Sequence, residues 1–272
     1  MKRIQLFEFE DQSWFPDRFR IALTKLIAVL HKITGLSDIV VNELSQIIKI
    51  TGEKEIIDLG SGAGGPMPEV FQQLKENGID IKVTLSDLFP NEKFVREFNA
   101  ESVEGISYSD KPIDATHLEC APKGLKTFFN SFHHMPPEMA KKIFHSAQAS
   151  NEPIFIYEMA NNKIPLLIWL LLLPISLIIL FVMVLFMTPF VKKLTWDQVV
   201  FTYLIPIIPI AYAWDGQASL PRIYSHDDVQ LLIGERSSTE KYKWIIADAQ
   251  SEKGKKMGYY IFGYPVNSVD NS

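Results

Sequence analysis

Apolar residues recur at helical spacing in the first fifth of the chain and in short strand-like runs after it. One later stretch abandons spacing altogether. Residues 15–31 carry Leu23, Leu26, Ile27 and Leu30 on one face, and residues 37–50 carry Ile39, Val40, Leu44, Ile47 and Ile48. Two amphipathic helices are expected, the second capped by Ser37 or Asp38. Residues 55–59, 81–86, 105–108, 125–132 and 153–157 read as strands, and helical spacing returns between most of them, clearly at 67–77 and 136–149. Strands alternating with helices imply a mostly parallel, doubly wound α/β sheet. A capped helix at 225–234 and strands at 242–247 and 257–264 would complete seven strands.

The exception to the spacing lies between the fifth and sixth strands. Residues 164–191 form 28 positions without a charge. At ~1.5 Å per residue they reach ~42 Å as a helix, more than the ~30 Å of a bilayer core. A second uncharged stretch, 198–214, holds Pro206 and Pro209 and is short for a span, with Trp169, Trp196, Tyr212 and Trp214 near the ends of the two. Membrane insertion is expected. The last two strands must rejoin the first five, so the chain leaves and returns on one side. A two-helix transmembrane hairpin satisfies this, although it puts Lys192 and Lys193 on the far side, against the usual placement of positive loops. A re-entrant or interfacial hairpin satisfies it as well.

Composition narrows the partners. The 272 residues are 47% hydrophobic and 22% charged, enough to bury a core, and a net charge of -5 offers no field for phosphate backbones. Nucleic acid is not an expected partner. The single cysteine, Cys120, suits a reducing compartment, and the acid-interrupted first eleven residues do not resemble an export signal. The expected location is a membrane, with the catalytic domain facing the cytoplasm.

The first candidate chemistry lies at the end of the first strand, where Asp58 precedes Gly60-Ser61-Gly62-Ala63-Gly64-Gly65. Glycines there let backbone approach a ligand. Gly60, Gly62 and Gly65 also satisfy the G-x-G-x-x-G spacing of a dinucleotide site. Asp87 and Leu88 end the second strand, 29 residues after Asp58 in the case of Asp87; Asp114 and Ala115 follow the third, and Asn130 to Met135 the fourth. In that order these segments resemble the class I S-adenosylmethionine-dependent methyltransferases, a Rossmann-like family. The resemblance covers about residues 50–160 and 222–264. It implies S-adenosylmethionine as cofactor, with Asp58 under its ammonium, Gly60, Ser61, Gly62 and Gly64 along its methionine part, and Asp87 with Leu88 at its ribose. Asp114 and Ala115 would then lie at its adenine, and Asn130 would face the methyl group. The corresponding organisation is an N-terminal helical lid (1–50), a cofactor-binding core (51–160), a membrane hairpin (161–216) and a segment completing the sheet (217–272).

The acceptor half is less legible. His133 and His134 lie where a general base would serve, and on an extended strand only one would face the pocket. Trp14 in the lid, Glu158 at the end of the fifth strand, and Arg222 and Tyr224 beyond the insertion are candidate acceptor ligands. A small-molecule or lipid acceptor is expected, because an apolar insertion would hold the mouth of the site at a membrane. Adjacent histidines do not have the i, i+4 spacing of a helical metal pair, and no metal is expected. A membrane-tethered S-adenosylmethionine sensor without turnover and a nicotinamide-dependent reductase are the alternatives.

Overall fold

The computed structural model describes residues 3–234, 241–251 and 254–266. In chain order its elements are helices α1 (Asp17–Thr34) and α2 (Leu36–Thr51), strand β1 (Glu55–Asp58), α3 (Met67–Glu76), β2 (Lys82–Leu85), α4 (Glu92–Asn99), β3 (Ile106–Tyr108) and β4 (Leu125–Phe129). There follow α5 (Pro137–Ser150), β5 (Ile154–Glu158), α6 (Leu166–Met187), the single turn α7 (Trp196–Val199), α8 (Ile207–Arg222), α9 (His226–Ile233), β6 (Tyr242–Gln250) and β7 (Lys256–Pro265).

The strands form one sheet in the order β3-β2-β1-β4-β5-β7-β6. The first five are parallel, and β7 runs antiparallel to both β5 and β6. Every residue of β4 and β5 is buried, as expected when helices cover both faces, and the polar pair within β4 is satisfied inside the fold, Lys126 by Glu152 and Thr127 by Asp58. One face packs Val40, Leu44, Val70, Phe71 and Leu74 of α2 and α3, and the other packs Ile143, Phe144 and Val229 of α5 and α9. The strand order reverses between β1 and β4, so their carboxyl ends diverge and open the crevice in which sheets of this kind bind ligands.

Two differences from the expected elements bear on function. β4 stops at Phe129 because Asn130 takes a left-handed backbone (φ 51), and residues Phe132–His134 close into a 3-10 turn. The expected boundary at 216 falls inside α8, which runs unbroken through Asp215 to Arg222.

The apolar insertion does not leave the domain. At its start, Asn162 Nδ2 donates to the carbonyls of Pro221 and Ile223, at 3.3 and 3.2 Å. Beyond its end, Lys192 Nζ lies 3.5 Å from Glu69 of α3, and Lys193 pairs with Glu101 after α4. Between these ties α6 lies along α8, and its Val184 and Met187 pack with Phe19, Leu23 and Leu26 of α1 and with Ile208 and Tyr212 of α8. Of the two hairpin arrangements expected, the positions of Lys192 and Lys193 agree with the one that does not cross. Both pair with acids on the sheet domain.

Candidate functional site

The turn after β1 is built by hydroxyls and by a carboxylate on either side. Gly60 and Gly62 have φ of 63 and 52, a region costly for any residue with a Cβ. A Cβ on Gly60 would come within 3.4 Å of Ser131 Oγ, and one on Gly62 within 3.3 Å of Thr24 Oγ1, so the turn is sandwiched between the segment after β4 and the α1 helix. Asp58 is turned inward. Its Oδ2 accepts from Ser61 Oγ at 2.6 Å and its Oδ1 from Thr127 Oγ1 at 2.7 Å. Burial pushes its carboxyl up to about 7 in spite of these bonds. Asp58 is buried beneath the turn, where each of its oxygens accepts one hydroxyl and so holds the glycines in place, whereas the ligand-facing position next to the turn is more open at Asp87.

Asp87 is placed differently. It is half-buried, its Oδ2 accepts from the Gly62 N–H at 3.1 Å, and its Oδ1 from the Phe89 N–H at 2.9 Å. Each oxygen keeps a lone pair, which suits a vicinal diol. Leu88 and Phe89 beside it are exposed, Phe89 at 83%. Tyr108 closes the back of the turn by donating to Gly62 O at 2.8 Å. Asp114 caps its own loop, because Oδ1 accepts from Thr116 N and Oγ1 at 2.8 and 2.7 Å, while Ala115 packs into the core. The adenine role expected of Asp114 thus meets a carboxylate already engaged in an Asx turn. Asn130 Nδ2 lies 2.5 Å from His31 Nε2 and its Oδ1 accepts from Met159 N, bridging α1 to the end of β5. Ser131 Oγ, beside Gly60, and His31 Nδ1 are buried without a hydrogen-bond partner. Positive-φ glycines, an open carboxylate and an orphan hydroxyl fit a nucleoside-bearing cofactor at the β1–β4 crevice.

A second constellation sits at the ends of β4 and β5. His133 and His134 share the 3-10 turn, with ring centroids 4.4 Å apart. Their placement on opposite sides of a strand is corrected, since the strand has already ended. Glu158 accepts from His133 N at 3.0 Å and lies 2.9 Å from His133 Nδ1, so it orients this histidine and is not free to hold an acceptor. His134 is surrounded by acids of the N-terminal strap: Asp11 at 2.8 Å, Glu8 at 3.1 Å and Glu10 at 3.2 Å. Burial works to lower its pKa, and the three carboxylates override it, leaving the ring well above the usual histidine value. The three carboxylates favour the protonated ring, which sets this environment against the role of a base expected of His134. Asp11, in turn, is held at about 2: burial works to raise it, and His134 and Arg222 outweigh burial.

Arg222, at the end of α8, is fully buried. One guanidinium nitrogen lies 2.6 Å from Glu8 and 2.7 Å from Asp11. It is not available to a lipid headgroup, which corrects that expectation as well. Tyr224 is buried too, its hydroxyl donating to Met135 O at 2.6 Å beneath the Arg3 guanidinium. Trp14 remains 64% exposed, edge-on to Phe9 and Phe15. Glu8, Glu10, Thr127 and His31 escaped the reading of the sequence. Only the strap carried a signal, the alternation Phe7-Glu8-Phe9-Glu10, which places acids on one side of an extended segment. Asp215 receives the Phe9 and Glu10 N–H groups at 2.7 and 3.2 Å, which fastens the strap to α8.

Ligand atoms of Glu8, His133 and His134 lie within 4.8 Å of one another. A cation there would have to displace both the Arg222 contact and the His134 proton, which already balance Glu8.

No family model matches the chain, and no curated protein matches it. Solved structures do. The mitomycin 7-O-methyltransferase MmcR aligns at 11% identity and TM-score 0.44, over 83% of this chain and 54% of that one. A methyltransferase from Aquifex aeolicus aligns at 12% and 0.41, over 80% and 87%. The plantazolicin methyltransferase BamL, with bound S-adenosylhomocysteine, aligns at 9% and 0.43, over 96% and 88%. The chain spans about half the length of some matches, such as 46% of a citrinin polyketide synthase methyltransferase domain. Values this low leave the reading of activity to the chain's own geometry.

Proposed function

We propose that the chain is a class I S-adenosylmethionine-dependent methyltransferase, associated with a membrane and acting on a small lipophilic acceptor. The observation that carries this reading is the clamp at the β1–β4 crevice. Asp87 is fixed by the Gly62 and Phe89 amides and presents its remaining lone pairs at the edge of a glycine turn. Asp87 would hold the ribose hydroxyls, with Leu88 and Phe89 against the base and Gly60, Ser61, Gly62 and Gly64 along the methionine part. Asn130 would close the methyl end. Asp114 and Ala115 would border the adenine through their loop.

When bound, the cofactor supplies an electrophilic methyl group. The chain's task is to align an acceptor in line with it and to take the acceptor's proton. His133 suits the second role, because Glu158 fixes its Nδ1 and leaves Nε2 as the atom able to receive a proton. His134, whose protonated form the strap carboxylates favour, supplies positive charge beside the acceptor. Trp14, on the strap above, offers an exposed apolar ring to a lipophilic body. The exposed apolar helix α6 beside this edge supports delivery from a membrane, and exposed, unpaired Cys120 supports a cytoplasmic face.

The test is transfer of labelled methyl from S-adenosylmethionine into membrane lipid extract and, separately, soluble metabolites, with Asp87→Ala as control. Label in the lipid pool that is lost in the control is expected. Label in neither pool, with S-adenosylmethionine still raising the melting temperature, would favour a sensor. Protection by a nicotinamide cofactor instead would favour a reductase.

A further inference from the structure

Within α6 and the 3-10 turn after it, Leu166–Phe190, the most apolar 18-residue window has a mean hydropathy of 3.1, and only 11% of it is buried. A core helix of such composition would be enclosed. Leu167, Leu171, Ile175, Ile178, Phe186 and Phe190 are each 60% exposed or more. The dozen exposed large side chains of this segment present on the order of 1,000 Å² of apolar surface, above the ~300–600 Å² patch of an ordinary monomer. It also exceeds the ~800 Å² that one partner gives to a standard protein interface.

Two features decide what covers it. A protein interface of this area needs several hydrogen bonds, about one per 100–200 Å². The segment offers none outward. Ser176 Oγ donates back to Leu172 and Leu173, Thr188 Oγ1 donates back to Val184, and Trp169 is buried. The surface is also convex. Leu170, Leu171 and Leu172 are all exposed, and successive residues on a helix are ~100° apart, so apolar groups point around much of the cylinder. Hydrocarbon covers such a shape without a complementary groove.

The ends of α6 decide how the bilayer is met. Asn162 is tied to the last turn of α8, and Lys192 and Lys193 are tied to Glu69 and Glu101. Glu69 opens α3 directly after the glycine turn, so both ends of a ~33 Å helix return to the domain that bears the sheet. Trp196, just beyond the end of α6 in the chain, is 84% exposed, as an amphipathic ring in a headgroup layer would be.

We infer that α6 lies in the plane of the membrane, within one leaflet, and that the chain does not cross. The α6 layer is a floor on which the domain sits, and a lipophilic acceptor enters sideways from the leaflet it occupies. The inference rests on the membrane association proposed above and is independent of methyl transfer.

The experiment uses the full chain with Cys120→Ser and one new cysteine at a time: Asn161→Cys and Leu194→Cys flanking α6, and Ser176→Cys within it. Each protein is bound to sealed phosphatidylcholine–phosphatidylglycerol vesicles and exposed from outside to a membrane-impermeant maleimide. Asn161→Cys and Leu194→Cys are expected to label equally from outside, and Ser176→Cys only after detergent is added. Labelling of one flank from outside and the other only after lysis would overturn the inference in favour of a crossing. Failure to float with vesicles, or a detergent-free soluble dimer that hides Ser176→Cys, would overturn it too. The same pattern in Asp87→Ala, which is expected to lack methyl transfer, separates failure of this inference from failure of the functional reading.

Discussion

Replacing Arg222 with Met removes the one guanidinium that neutralises two strap carboxylates while keeping most of the side-chain volume. Arg222 and Glu8 are both fully buried, and their atoms approach to 2.6 Å. Removing one partner of such a pair costs ~3–5 kcal/mol, because the other charge stays behind without compensation. Two details move the expectation to the lower end. His134 remains 3.1 Å from Glu8 in a setting that favours its protonated form, and Asp11 is one-third exposed and can recover water. A loss of about 3 kcal/mol at ~2–4 °C per kcal/mol predicts a melting temperature lower by roughly 6–12 °C. The assay is thermal unfolding in a fixed detergent at neutral pH, of Arg222→Met, Glu8→Gln and the double variant. Glu8→Gln in the Arg222→Met background should restore part of the loss, since the stranded carboxylate is gone. A drop of less than ~2 °C, or losses that simply add, would refute the claim that Arg222 holds the strap to α8.

Three further outcomes follow from the same geometry. Gly62→Ala forces a Cβ into a φ of 52 and against Thr24 Oγ1, so it should cost about 1–2 kcal/mol and weaken protection by S-adenosylmethionine in a melting assay. His134 has a raised folded pKa, so its stabilisation is complete below its unfolded value of ~6.5 and is lost as pH rises through the folded one. The melting gap between wild type and His134→Gln should accordingly narrow on going from pH 6 to strongly alkaline buffers. Asp58 has the same sign for a different reason: burial raises its carboxyl to about 7 and makes the charged form unfavourable, so Asp58→Asn should gain on wild type between pH 4 and 8, and a pH-independent difference would contradict its burial.

The sheet was legible in the sequence because parallel strands covered on both faces are written as continuous apolar runs bounded by turn residues. All seven strands lie where the pattern puts them, with β4 alone overextended. That error has a physical origin. Phe132 continues the aromatic run of Phe128 and Phe129 across polar Asn130 and Ser131, and a left-handed asparagine and a 3-10 turn, invisible to periodicity, stop the strand between them. The glycine turn was legible, but which acid faces the ligand was not. Asp58 and Asp87 both end strands, and their fates are divided by Ser61 and Thr127, one three positions along the chain and the other on a different strand. Similarly, the charged cluster joins residues more than 200 positions apart, as when Arg222 meets Glu8, and no local pattern carries that pairing.

The single continuous α8 carries a consequence for any attempt to excise the apolar insertion. One end of this helix packs under the apolar layer, and the other ends in Arg222. Cutting out residues 164–216 would therefore delete more than grease. It would remove Asp215, to which the strap backbone is bonded, and unseat the counter-ion of Glu8 and Asp11. A soluble redesign has to keep α8 as a rigid strut and repaint only the outer surface of α6, or else neutralise both acids at the same time. By the same reasoning, the strap and α8 stand or fall together: either transplanted alone onto another sheet of this kind would arrive with its charges unanswered.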